Sequence, residues 1–173
     1  MENEEEYKGI GGWLILVGIG IIVGPVRLFV DIISAYQPIF ENGTWEALTT
    51  VSSEAYSPLW APILIGDILY NSMMVIALVY LAFLFFTRHY RFPLVYIVLA
   101  VISLLYFPLN VWLVELAMPS VSMIDHQIIN DFLRVLIVVV IWVPYMLVSK
   151  RVKATFVEKR PNKSSQNNVN EVA

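Results

Sequence analysis

The chain contains no cysteine, which excludes disulfides and thiol chemistry and leaves the redox compartment unmarked. Charge is scarce too. Charged residues make up 14% of the 173 positions and hydrophobic residues 58%, against about a quarter and a half in soluble globular proteins. No serine sits in a GxSxG setting, no HExxH occurs and no Gly-rich loop follows a strand. The two histidines, His89 and His126, are expected on opposite sides of a membrane, too far apart to share a metal. These absences point away from an enzyme, and no cofactor or metal ligand set is expected.

The most informative absence is local. Residues 35–60 and 118–127 contain no Lys or Arg at all. They separate the first from the second, and the third from the fourth, of the apolar runs at about 12–34, 61–86, 93–117 and 128–148. The remaining connection carries Arg88 and Arg91, and the end of the chain carries Lys150, Arg151, Lys153, Lys159, Arg160 and Lys163. Each run is long enough for a hydrocarbon core, which takes about 20 apolar residues. Basic residues near spans are retained on the cytoplasmic side. The expected fold is therefore an all-α membrane protein, a four-helix transmembrane bundle with both termini cytoplasmic. A soluble bundle of four such helices would have almost no polar surface left to present.

A signal peptide would need a basic start and a short apolar core. Here Glu2, Glu4, Glu5 and Glu6 precede a run of full membrane length, so the first run is read as a retained span. No lipidation motif is visible.

Outside the membrane the chain is short. Residues 1–11 form an acidic cytoplasmic segment, and Trp13 is placed to anchor the first span at the interface. In the loop at 35–60, Trp45, Leu48, Val51 and Ala55 recur at helical spacing and predict a short interfacial helix. Tyr36, Trp45, Tyr56 and Trp60 fit an outer aromatic belt. Asn42-Gly43-Thr44 matches a glycosylation acceptor, a weak signal. At 150–173 a basic tail is expected to stay helical to about Lys159, to stop at Pro161 and to be disordered after about 160. Its Lys150, Arg151 and Lys153 are candidate contacts for anionic lipid headgroups. Nucleic-acid binding has no support beyond this short basic stretch.

Polar residues inside the spans carry the functional lead. With a rise of about 1.5 Å per residue, Arg27 lies about 22 Å along the first span and Asp67 about 9 Å into the second. Asn71 falls near the midplane, and Asn110, Glu115, Asp131 and Arg134 fall towards the same outer side as Asp31. These eight residues form a candidate polar cluster in the outer half. Buried charge costs about 3 kcal/mol or more at mid-bilayer, so such groups normally pair, face the bundle interior or line a wet cavity. Local pairs, Arg27 with Asp31 and Asp131 with Arg134, are expected at helical spacing. Asp67 has no basic residue within a turn, and is expected to meet Arg27 or Arg134 from another span with Asn71 nearby. Pro25, Pro108 and Pro144 permit kinks, and Gly18, Gly20 and Gly24 permit close helix approach.

The string WVPYMLVSKRVKATFV, Trp142 to Val157, is the most distinctive in the chain. Its W-x-P-Y…S-x-R-V-K-x-T-F pattern, with the opening GIGGWLILVGIG, resembles a family of small four-span bacterial inner-membrane proteins. That family is the domain of unknown function numbered twenty-five sixty-nine. The resemblance implies the bacterial inner membrane and brings no activity, cofactor or site residue with it.

Two functions remain, the first as the leading reading and the second as the alternative. One is a non-enzymatic accessory or regulatory component acting through helix, lipid or protein partners. The other is a small-solute or ion transporter, working as a homo-oligomer, that uses the outer acidic cluster. The two separate on geometry: transport requires a water-accessible crevice containing Asp67, and a structural role requires Asp67 paired with Arg and dry.

Overall fold

The computed structural model describes residues 9–118 and 126–157, which form six helices and no strand. Four are long: α1 (Trp13–Glu41), α3 (Trp60–Phe86), α4 (Phe92–Ala117) and α5 (His126–Val148). Two are single short pieces, α2 (Thr44–Thr49) and α6 (Lys150–Thr155). Even the shortest long helix, with 23 residues, extends about 35 Å and can cross a core about 30 Å thick. The long helices turn their apolar side chains outwards. Only 6% of the most apolar stretch of α4 and of α5 is buried in the protein. Ile19, Ile22, Phe29, Val79 and Leu105 all lie on this outer surface. Such a surface is stable only in lipid, where a helix also satisfies its own backbone. The chain is a multi-pass membrane protein.

Short connections make neighbours of consecutive spans. Helix α1 packs along α3, α3 along α4 and α4 along α5, whereas α1 and α5 meet only sparsely. The bundle is thus a curved row that closes fully at one end. At that end Leu14, Val17 and Ile21 of α1 join Leu81, Leu84 and Phe85 of α3, Phe92 of α4 and Met146 of α5 in one core. Phe85 sits at its centre, with ring contacts to Phe86, Phe92 and Phe156. Trp13 and Trp142 meet edge to face at 6.2 Å, joining the ends of α1 and α5. The α3–α4 turn lies at the same end, where the His89 amide donates to the Leu84 carbonyl at 2.9 Å. A smaller core at the opposite end joins Trp60, Ile63 and Ala117, with Leu48 of α2 packed against it.

Three local expectations are corrected. First, α1 does not stop near Ser34 but runs about two turns further, to Glu41. Pro38 is carried inside it, and the helix ends where Gly43 takes a left-handed φ of 72°. Second, the interfacial helix is only Thr44–Thr49; Val51 and Ala55 lie beyond it. Thr50 is extended, and the Ser53 hydroxyl accepts from the Ala55 amide at 3.3 Å, a local bond that competes with helix. Third, the tail does not continue α5. Ser149 takes an extended conformation and accepts from the Val152 amide at 3.3 Å, so it caps a new helix, α6, that ends at Thr155. The acidic start to Lys8, the tail from 158 and residues 119–125 lie outside the described residues.

The new helix turns back under the bundle. Val152, Thr155 and Phe156 are buried, Phe156 stacks on Phe92 at 4.3 Å, and the Thr155 hydroxyl donates to the Gly9 carbonyl at 3.1 Å. Helix α6 is a floor for the closed end.

Candidate functional site

The open end holds the polar residues. Asp67 lies on α3, and Asn71 one turn later shares its face of the helix. On α4, Tyr106 and Asn110 stand in the same relation, and the extra length of α1 carries Tyr36 to the same depth. The three helices converge on one carboxylate. Asp67 Oδ1 accepts from the Tyr106 hydroxyl at 2.6 Å and from the Asn110 amide at 3.0 Å. Its Oδ2 accepts from the Tyr36 hydroxyl. The Asn71 amide donates to the Tyr36 oxygen at 3.2 Å and to the Asp67 carbonyl at 2.9 Å. The Asn110 amide also reaches the Tyr106 oxygen at 3.4 Å. Amides therefore donate to phenols and phenols donate to the carboxylate, a one-way arrangement suited to a group that only accepts. The Tyr106 ring lies flat on Tyr70, 3.4 Å between centroids and 11° from parallel.

Asp67 does not meet an arginine, contrary to the expectation from sequence. Arg27 pairs with Asp31 at 3.6 Å on α1, and Arg134 pairs with Asp131 at 3.0 Å on α5. Among the described residues no ion pair joins either arginine to Asp67. The reason is positional: each arginine has an acid one turn away, which it reaches without crossing the gap between α1 and α5. Both guanidinium side chains stay 73% exposed in the protein, while phenols from α1 and α4 reach Asp67 directly.

Between α1, α3, α4 and α5 lies a cavity of about 770 Å³. Its polar wall holds Asp67, Asn71, Asn110, Ser103, Tyr70 and Tyr106, and both ion pairs lie on its border. Of the eight residues expected to cluster, seven line this one space; Glu115 does not. Towards the closed end the wall becomes apolar, through Met74, Leu78, Leu81 and Leu99. Such a volume, apolar with a few convergent polar groups, is typical of small-molecule sites.

Sequence reasoning missed Tyr36, Tyr70 and Tyr106. Of the aromatic residues assigned to the outer belt, Tyr36 bonds Asp67 and Trp60 is buried in the smaller core. A signal did exist, because Tyr106 and Asn110 repeat the i,i+4 spacing of Asp67 and Asn71.

At the closed end, Lys150 and Lys153 are exposed. Arg151 is half-buried and lies over Gly11, where an added Cβ would come within 2.5 Å of Nη1. It is thus turned towards the start of the protein rather than outwards with the two lysines.

A family model described as "Protein of unknown function (DUF2569)" matches residues 7–157. The chain belongs to this family. No curated protein and no solved structure matches it. The family match covers all six helices, the Asp67 site and the S-x-R-V-K-x-T-F string alike. Geometry accounts for that string: Ser149 caps α6, and Val152, Thr155 and Phe156 are its buried positions.

Proposed function

We propose that this protein is a non-enzymatic binding protein of the transporter class, holding a small solute in the cavity beside Asp67. The observation that carries the reading is the wall position of Asp67, hydrogen-bonded by Tyr36, Tyr106 and Asn110 and paired with neither arginine. An accessory role through helix contacts alone would call for a dry carboxylate locked to a cation. The cavity speaks for a solute instead. The setting we propose is the bacterial inner membrane with both termini cytoplasmic, which the distribution of Lys and Arg supports. Exposed Lys150 and Lys153 would then face anionic headgroups. Assembly with a second copy or a membrane partner fits a chain of four spans.

The test uses the absence of native cysteine. Ser103, in the cavity wall, is replaced by Cys, with Thr50→Cys in the exposed loop as control. A small, positively charged, membrane-impermeant methanethiosulfonate should label both in the folded protein. Labelling at position 50 with none at position 103 would overturn the reading.

A further inference from the structure

The charges around the cavity do not balance. Arg27 and Arg134 give two positive charges, and Asp31, Asp67 and Asp131 give three negative ones. Two of the acids are matched by the arginines beside them, so among the described residues the unmatched charge is that of Asp67. In a low-dielectric wall an unmatched carboxylate draws a cation strongly. The kind of cation follows from the lone pairs. A carboxylate has about four acceptor positions, and Tyr36, Tyr106 and Asn110 already occupy three of those on Asp67. One position remains. A bare divalent cation takes about six oxygen ligands, and among the described residues no three His, Asp or Glu side chains stand close enough together to hold one. An organic cation needs only the open side of the carboxylate and its charge.

The rest of the cavity agrees with an organic occupant. Below Asp67 the wall is Met74, Leu78, Leu81 and Leu99, which would bury an apolar body rather than a hydrated ion. The stacked Tyr70 and Tyr106 rings sit beside the carboxylate, and aromatic faces favour cations. On the side where α1 and α5 meet only sparsely, the cavity is bordered by the two ion pairs. Resting on the solute-binding reading above, we infer that the cavity takes a monovalent, amphiphilic organic cation, with Asp67 as its counter-ion.

The test compares two probes of the same shape and opposite charge, tetraphenylphosphonium and tetraphenylborate. Binding is measured by equilibrium dialysis on the full chain in phosphatidylcholine nanodiscs, above the signal of empty discs. The cation should bind at least about tenfold more tightly than the anion. Asp67→Asn should lose that binding by about tenfold or more. Glu115→Gln removes the same charge outside the cavity and should leave binding within about twofold. Equal binding of the two probes, or undiminished phosphonium binding in Asp67→Asn, would overturn the inference. If Asp67→Asn does not fold, the comparison of the two probes on the unaltered chain decides. Labelling at Ser103→Cys together with equal binding of the two probes defeats this inference alone; no labelling there defeats the solute-binding reading as well.

Discussion

The Tyr106 hydroxyl on α4 donates to Asp67 on α3 across 2.6 Å, while its ring lies flat on Tyr70 one turn along from that aspartate. One side chain thus holds the carboxylate in place and shapes the wall beside it. The partners of Asp67 are neutral donors, and this determines how the site should respond to mutation.

Asp67 and Tyr106 should be energetically coupled, and Asp67 and Arg27 should not. Hydrogen bonds to a charged group contribute about 1.5–3 kcal/mol. Asp67→Asn and Tyr106→Phe should each lower thermal stability in detergent, and the double variant should lose less than the sum. Asp67→Asn with Arg27→Gln should be additive within about 0.5 kcal/mol. A coupling to Arg27 as large as that to Tyr106 would contradict the geometry.

The glycines of α1 should separate sharply. A Cβ on Gly18 would stand 3.1 Å from the Phe85 ring at the centre of the closed-end core, whereas Gly20 and Gly24 face open space. Gly18→Ala should destabilise by about 1–3 kcal/mol, the usual effect of overpacking. Gly20→Ala and Gly24→Ala should be neutral or slightly stabilising, because alanine favours helix by about 1 kcal/mol over glycine. Thermal unfolding of the three variants gives the comparison.

Helix α6 should behave as a packed floor. Phe156→Ala removes the ring stacked on Phe92 and should cost about 3–5 kcal/mol, while Ser149→Ala removes the cap and should cost about 1 kcal/mol. Lys153→Ala, on the exposed side, should change stability by less than about 0.5 kcal/mol. Limited proteolysis after Lys150 or Arg151 should accelerate in the first variant. Equal resistance of all three would show that the floor does not bear on the bundle.

Orientation has its own readout. Cysteine at Thr50 should react with an impermeant thiol reagent in intact cells, and cysteine at Lys153 should react only after the membrane is opened. The reverse pattern would invert the topology.

Linear order was enough to determine that four long helices exist, because a span is set by the summed hydropathy of about 20 consecutive residues. The i,i+4 and i,i+3 pairs Arg27–Asp31 and Asp131–Arg134 were legible for a similar reason: helical spacing brings them together without help from the rest of the chain. What α6 does was hidden, since its break at Ser149 is worth seeing only once Val152 and Phe156 have a core to enter. The partner of Asp67 was decided by tertiary structure alone. Charge complementarity favoured an arginine, but the row-like packing leaves α1 and α5 apart and brings α4 and the last turns of α1 against α3. Which donor reaches a carboxylate depends on helix rotation and on where α1 ends, and neither is encoded in hydropathy or in the count of charges.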